Sequence, residues 1–421
     1  MTLAQHPERL QLAAELHSRP HTELGSPCAV SHLAIMTRPD GDGLLAAISE
    51  LCRRYGAAPP HQDRHHAATL GAYRMRWERH TEFASLTIMQ EGETVGFKRP
   101  PVELLPEDWL DGLDGELIAA CHVVIEPAGA GEPPDIAAIE RRFEGQRVAG
   151  CKVLGGTAEV FTAFRNGGDG FGRFYVRDLA MSRGRTGRLV QRLCEIDTYR
   201  MMALLGLPVA KAISPDLNDL ETRLVTLVAR LGSTADLAEE QGLLDELFAV
   251  AQESERLVAQ SAYRFSATAA YGRLVRDRLK DLRESRLEDF QPIAEFLDRR
   301  FEPALRTCAS VAEREESLSR RIARTADLAR TRVDVSLQKQ NRALLASMER
   351  RARVQLRLQE TVEGLSVVAI SYYALGIVGY LLGGLVATDT LKLVVSVTAP
   401  VLLVLIWLVL RRWRALLTKE S

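Results

Sequence analysis

The spacing of hydrophobic and polar positions changes twice along the chain, and each change predicts a different kind of structure. Residues 27–180 contain short apolar runs that alternate with polar side chains, which is typical of strands. Between these runs lie segments with helical spacing, at Asp42–Tyr55, Pro106–Leu113 and Asp135–Phe143. We therefore expect an α+β fold whose N-terminal unit is built on a mostly antiparallel sheet. The predicted strands are Cys28–Met36, Ala72–Trp77, Phe83–Met89, Leu117–Ile125, Cys151–Leu154, Glu159–Phe164 and Phe174–Val176.

A glycine-rich run, Asn166–Gly172, joins two of the predicted strands. It lacks the Gly-Lys-Ser/Thr sequence of a phosphate-binding loop and opens no helix. The run therefore predicts a hairpin turn rather than a nucleotide site.

From about residue 182 to residue 363 the pattern is almost entirely helical. Gly206–Pro208 predicts a helix stop, Ser214-Pro215 a new start, and Gly232–Thr234 and Phe290–Pro292 two further breaks. No glycine or proline lies between Pro303 and Gly364, so a single helix of about 60 residues, near 90 Å long, is possible there. We expect a helical bundle followed by a long stalk.

The predicted stalk carries a narrow, lightly apolar stripe with a mean step of about 3.7 residues, close to the repeat of a straight or slightly right-handed stalk. It could pack on the same chain or form a seam between subunits in a coiled coil. Asn341 lies within it. Its expected contact residues are Ile322, Val333, Leu337, Leu344 and Met348.

Two uncharged apolar runs follow, at Gly364–Ala387 and Leu393–Leu410. About 20 apolar residues cross the ~30 Å hydrocarbon core of a bilayer, so both runs are long enough to span it. Core helices rarely run this long without a charge, and a helix lying in the membrane interface would show a polar face. The pattern thus predicts a transmembrane hairpin and four regions, residues 1–180, 181–361, 362–412 and 413–421.

The orientation of the hairpin follows from its flanks. Arginines precede the first run and follow the second, whereas the connecting turn carries only Lys392 as a basic residue. Because basic flanks stay in the cytoplasm, we expect both termini on the cytoplasmic side. The lipid bilayer is therefore the first expected partner.

Small residues recur in the first run, at Ala369, Gly376, Gly379 and Gly383. Small side chains let helices approach closely in lipid. They could serve packing against the second run of the same chain, or a ring of first spans around a pore.

Composition removes several classes of function. The chain has 54 basic and 55 acidic residues, so no net charge favours a nucleic-acid partner. The six cysteines are scattered without a Cys-x-x-Cys pair, which suits a reducing compartment. The N-terminus shows no signal-peptide pattern. No catalytic arrangement can be assigned from spacing, so we do not expect an enzyme.

All nine histidines lie within the first 122 residues. On the predicted strand at residues 77–83, Glu78, His80 and Glu82 alternate onto one face. Such a mixed nitrogen and oxygen set could hold a divalent cation, if other segments supplied further ligands. The alternative is a solvated polar face, and no other cofactor is expected.

Several stretches together resemble one uncharacterised bacterial family, the domain of unknown function numbered three-four-two-two. They are ELHSRP, RWERHTEF, DGFGRF, GRLVQRLCEIDTYRMMALLGLP, RTRVDVSLQKQNRALLASMERR and TVEGLSVVAISYYALG. The resemblance covers nearly the whole chain. It implies a membrane-associated bacterial protein, hence one of the inner membrane, and it implies no activity.

The order of a sheet domain, long helices and two C-terminal spans also resembles the CorA-type magnesium channels. Those carry Gly-Met-Asn at the end of the first span, where this chain reads Gly376-Ile-Val-Gly379. We therefore expect a homo-oligomer that is either a CorA-like ion channel or a non-transporting, membrane-tethered scaffold or ligand-sensing module.

Overall fold

The computed structural model describes residues 6–9, 22–37, 43–60, 64–92, 96–128, 135–234, 236–382, 396–401, 403–409 and 412. The fold is α+β, as the pattern predicts, with a sheet in its N-terminal part and a long helix in its C-terminal part. Two compact units are present. The first comprises residues 1–232 and 245–326, and the second comprises residues 233–244 and 327–421. The division predicted from the sequence, with boundaries at residues 180 and 361, stays a prediction.

The described residues of the first unit form a nine-stranded sheet in the order β2-β3-β4-β1-β5-β8-β7-β6-β9. Neighbouring strands are antiparallel except β5 and β8, which are parallel. The mostly antiparallel sheet is thus confirmed. The strands are β1 Cys28–Met36, β2 His65–Leu70, β3 Tyr73–Arg79, β4 Phe83–Glu91, β5 Glu116–Pro127, β6 Ala149–Val153, β7 Ala158–Thr162, β8 Gly172–Asp178 and β9 Ser285–Arg286.

Burial explains why most strands were visible in the sequence. In β3 the residues Tyr73, Met75 and Trp77 are buried and alternate with more exposed polar residues. None of the predicted strands covers the edge strand β2, residues 65–70. That segment has no apolar alternation, and its backbone pairing with β3 makes it a strand.

The glycine-rich run lies between the antiparallel neighbours β7 and β8, so the predicted hairpin is confirmed. Inside the turn the backbone N–H of Gly167 donates to the carbonyl of Phe171 at 2.8 Å. The carboxylate of Asp169 accepts from the backbone N–H of Phe171 at 3.0 Å.

Helices cover the sheet, and those that take part in its core belong to the same unit. The core joins strand residues to Leu189 and Leu193 of α4, Val275 of α6 and Ile293 of α7. The helices are α1 Gly43–Arg54, α2 Glu107–Asp111, α3 Ile136–Arg142, α4 Arg183–Leu204, α5 Gly206–Ser233, α6 Leu237–Leu282, α7 Ile293–Arg300 and α8 Glu302–Leu382.

The expected helix start at Ser214-Pro215 is wrong, because α5 runs through Pro215. Proline removes one hydrogen bond from the interior of a helix. The helix continues because one of its faces is buried both before and after that position, at Ile213, Leu217 and Leu220.

The long helix at the end of the chain is confirmed. Helix α8 has 81 residues and is about 120 Å long. It includes the first apolar run as far as Leu382, and residues 383–395, with the predicted turn, lie outside the described residues.

Candidate functional site

A small, partly open cavity with a mixed polar and apolar lining lies between one face of the sheet and helix α4. Strands β1, β3 and β4 form its floor and α4 forms its wall. Its volume is about 40 Å³, which is room for about three water molecules. The polar side chains that line it belong to Thr22, His32, Arg76, Glu78, His80, Ser85, Thr87, Gln191, Glu195, Thr198 and Tyr199.

The imidazole of His32 ties the floor of the cavity to its wall. Its Nδ1 lies 2.8 Å from Oγ1 of Thr87 on β4, and its Nε2 lies 3.1 Å from Oγ1 of Thr198 on α4. Burial lowers the pKa of His32 to about 3, and the charges of His80 and Arg76 act in the same direction. His32 is therefore neutral at physiological pH and acts as a hydrogen-bonding group.

The charged groups around the cavity are balanced. Arg76 donates to Oε1 of Glu78 at 2.6 Å, and both side chains are largely buried. Glu195 accepts from the side-chain amide of Gln191 at 2.8 Å and forms an ion pair with Arg278. Because each carboxylate has a cationic partner, the site presents both signs of charge and little net charge.

The hairpin between β3 and β4 forms one end of the cavity. The ring of His80 stacks on Phe83 with 4.3 Å between their centroids, and Phe83 meets the ring of Tyr199 edge-on. Both rings of this stack line the cavity. Aromatic side chains thus bound the cavity where the strands turn.

This hairpin also corrects the sequence interpretation of Glu78, His80 and Glu82. Strand β3 ends at Arg79, so the three residues do not share one strand face. Glu82 forms an ion pair with Arg264, and only Glu78 and His80 line the cavity. Within the described ranges no group of three or more histidine, cysteine, aspartate or glutamate residues is placed to hold a metal ion. The divalent-cation site stays a prediction.

The opposite end of the cavity depends on a glycine of α4. A Cβ atom built on Gly187 would lie 1.8 Å from the carbonyl oxygen of Thr22. Only glycine allows the segment at Thr22 and Leu24 to cross α4 at this distance. Leu24 is fully buried there and lines the cavity.

A second buried polar group lies in the same sheet. Oγ of Ser31 is 3.0 Å from Nδ1 of His122, and Nε2 of His122 is 3.7 Å from the carboxylate of Asp169. Burial lowers the pKa of His122 to about 4. Ser31 is fully buried, and its hydroxyl accepts from the backbone N–H of Val102. These contacts tie the β7–β8 turn to the sheet and present no accessible nucleophile.

Helix α8 supplies the feature that concerns a membrane. Among the described residues it contains the one helical stretch that is long and apolar enough to cross a bilayer by length and composition. A core helix of a soluble protein would pass the same test but would be buried, whereas only 6% of the apolar window here is buried. A shorter apolar helix, Ser396–Val409, follows.

The small residues proposed for packing or a pore lie on this apolar part of α8. Ala369 and Gly376 are exposed, and a Cβ atom on Gly376 or Gly379 would meet nothing within 4 Å. Gly383 lies outside the described residues. Helix packing and a pore both stay predictions.

The expected stalk contacts fall into two groups. Ile322 and Val333 are 3% and 8% exposed, so they pack within the chain. Leu337, Leu344 and Met348 are 38%, 60% and 57% exposed. The second group is therefore only partly covered by the described part of the chain.

Sequence reasoning missed most of the cavity. Its wall comes from α4, more than 150 residues after His32, and no spacing rule connects the two. The available signal was His32 itself, which with Ser31 interrupts the apolar strand CAVSHLAIM.

The fold and the site define a mixed α+β protein that combines a small, partly open cavity carrying polar side chains with a helix apolar enough to cross a membrane. The chain belongs to the family described as "Protein of unknown function (DUF3422)", whose model matches residues 4–417. The search of curated proteins gives no match. The resemblance to CorA-type channels finds no support.

Proposed function

We propose that the protein is a membrane-tethered, ligand-sensing module that binds a small polar solute in the cavity between its sheet and α4. The cavity carries this proposal. Helix–sheet interfaces are normally filled by apolar side chains, and a buried polar group costs stability unless it is hydrogen-bonded. A partly open cavity at such an interface, with ionised and hydroxyl side chains among its apolar lining, is a candidate binding site.

The lining supports a zwitterionic solute. On binding, Arg76 and Glu78 would exchange their mutual ion pair for contacts with the carboxylate and the ammonium group of the solute, and the hydroxyls of Ser85 and Thr87 can complete the hydrogen bonds. Space for about three water molecules is the size of a solute of four or five non-hydrogen atoms. Glycine, the smallest amino acid, is the simplest probe of this class.

The apolar end of α8 supports the tether. Its exposed side chains, such as Ile370 and Ile377, would face water in a soluble protein. Apolar side chains in contact with water raise the free energy of the folded protein, and contact with lipid tails removes that unfavourable contribution. With Ser396–Val409 as the core of a second span and arginines on both flanks, we place the protein in the bacterial inner membrane as a hairpin with both termini cytoplasmic. Ion conduction by a ring of first spans stays a prediction that no described contact favours.

The test is thermal unfolding of the full-length protein in detergent, with and without glycine. A ligand that binds only the folded state at about 100 times its Kd adds ~2.7 kcal/mol of stability. We expect glycine to raise the unfolding midpoint of the natural protein and not that of the double variant Arg76→Gln, Glu78→Gln.

The matched control is Arg320→Gln with Glu316→Gln, which removes an exposed ion pair on α8 and should leave the response to glycine intact. An equal response in the natural protein and the cavity variant, or no response in either, would refute the zwitterion. A response to magnesium, zinc or manganese alone would instead assign the cavity to the divalent cation that the sequence predicts.

A further inference from the structure

From Leu337 to Val362 helix α8 is exposed on nearly every side, and one of its faces is regularly apolar. Ala329 and Val333 are buried, but four leucines further along the helix, Leu337, Leu344, Leu358 and Leu365, are between 38% and 74% exposed. Isolated apolar residues on a surface are ordinary. Leucines that repeat along one face of a helix are not ordinary for a surface that stays in contact with water.

The leucines lie on a seven-residue repeat. Leu337, Leu344, Leu358 and Leu365 occupy the d positions of a heptad, with Arg351 at the remaining one. The a positions are Asn341, Met348, Gln355 and Val362. Leucine at d with a single asparagine among the a residues is typical of two-stranded parallel coiled coils.

The charged residues follow the same repeat. Between Leu337 and Val362 every charged residue except Arg351 falls at b, c or f, on the side away from the seam. The e and g positions hold no charge, so a second helix with the same sequence meets no like charge beside the seam. Arg351 carries a long aliphatic stem that can take its guanidinium out to water.

We infer that this face of α8 is the interface with a second copy of the chain, in a parallel, in-register, two-stranded coiled coil. In that arrangement Asn341 meets its own counterpart, and a side-chain amide both donates and accepts. The seam from Leu337 to Leu365 has 29 residues, so it is about 43 Å long.

The parallel direction rests on the proposed membrane tether. Two copies inserted from the same side of one bilayer hold their α8 helices in the same direction. An antiparallel pair would need its apolar ends in two different membranes.

Cysteine cross-linking tests the pairing in membranes. The six natural cysteines are buried, so an oxidant such as copper phenanthroline reports on an introduced one. Leu344→Cys and, separately, Leu358→Cys should each give a covalent dimer, because equivalent d positions face each other. The matched control, Ala346→Cys at an outer f position, should stay monomeric. An antiparallel pair could not link both d positions to their own counterparts.

The mass in detergent should be twice the 46.7 kDa of one chain. Equal linking at 344 and 346, or a higher multiple of the mass, would overturn the two-stranded seam. Absence of linking in protein that still pellets with membranes would overturn the seam and leave the tether standing. Linking in protein that is recovered in the soluble fraction would uphold the pair and refute the tether.

Discussion

The hydroxyl of Ser261 on α6 donates to the carboxylate of Glu315 on α8, lying 3.0 and 2.9 Å from its two oxygens. Both residues are buried. Burial raises the pKa of Glu315, and the hydrogen bond from Ser261 acts in the opposite direction. This one donor therefore makes an ionised Glu315 more tolerable inside the bundle.

The first prediction concerns this pair. Ser261→Ala should destabilise the protein at pH 7 by about 1–3 kcal/mol, because a buried acceptor loses its donor. Glu315→Gln should be stabilising at pH 7. An acid whose folded pKa is raised adds stability below its unfolded pKa, and that stability is lost as pH rises. The advantage of Glu315→Gln in urea unfolding should therefore shrink at lower pH, and a pH-independent difference would contradict the assignment.

The second prediction concerns His32. Its folded pKa of about 3 lies below the ordinary value of 6.5, so between those values the unfolded chain binds a proton that the folded protein does not. Stability should fall by about 1.4 kcal/mol for each pH unit below 6.5 through this residue. His32→Gln should reduce the slope of unfolding free energy against pH, whereas His6→Gln, at an exposed position, should leave it unchanged.

The third prediction concerns the close approach at Gly187. A methyl group there meets the backbone of Thr22, so Gly187→Ala should cost about 1–3 kcal/mol. Gly242 on α6 is the matched control, because a Cβ atom there meets nothing within 4 Å. Gly242→Ala should stabilise the protein by up to about 1 kcal/mol through helix propensity. Urea unfolding of both variants measures the contrast, and equal effects would show that Thr22 does not press on α4.

The sequence predicted those parts of the fold whose burial is periodic. Strand β1 was predicted with its observed bounds because Cys28–Met36 is apolar at nearly every position and buried on both faces. Strand β2 was not predicted because it is held by backbone pairing with β3, which requires no apolar alternation in its own sequence. The predicted helix start at Pro215 was wrong because the local preference of proline for a helix end is outweighed by the buried face of α5, which continues on both sides of it.

The candidate site could not be predicted in the same way. His32 and Thr198 are brought together by the packing of α4 on the sheet, which no local pattern encodes. For the stalk the limit was different. The apolar repeat that includes Leu337 and Leu344 could be recognised in the sequence, but a repeat does not identify the surface that packs against these side chains.

The fourth prediction tests the membrane tether. Ile377 is exposed near the middle of the first apolar run, and an arginine at the centre of a membrane span costs about 2.5–3.5 kcal/mol of insertion free energy. Ile377→Arg should lower the fraction that resists alkaline carbonate extraction. Leu356→Arg, equally exposed but before the run, should not. Full retention of the Ile377 variant in the membrane would show that this part of α8 does not span it.

The fifth prediction separates contacts within the chain from contacts between chains. Val333 is buried, whereas Leu337 and Leu344 are exposed in the single chain. The double variant Leu337→Asp, Leu344→Asp should therefore lose self-association while the dilute protein keeps its unfolding midpoint. Val333→Asp should lower that midpoint, because it buries a charge without a partner.

The control for this experiment is Ala343→Asp with Ala346→Asp, which adds the same two negative charges at exposed positions on the outer face of α8. It should change neither the mass in detergent nor the unfolding midpoint. A double leucine variant that unfolds as early as Val333→Asp would show that these leucines pack within the chain. One that keeps the full dimer mass would show that the seam does not hold the two copies together, because two aspartates facing their own counterparts in a desolvated seam repel each other.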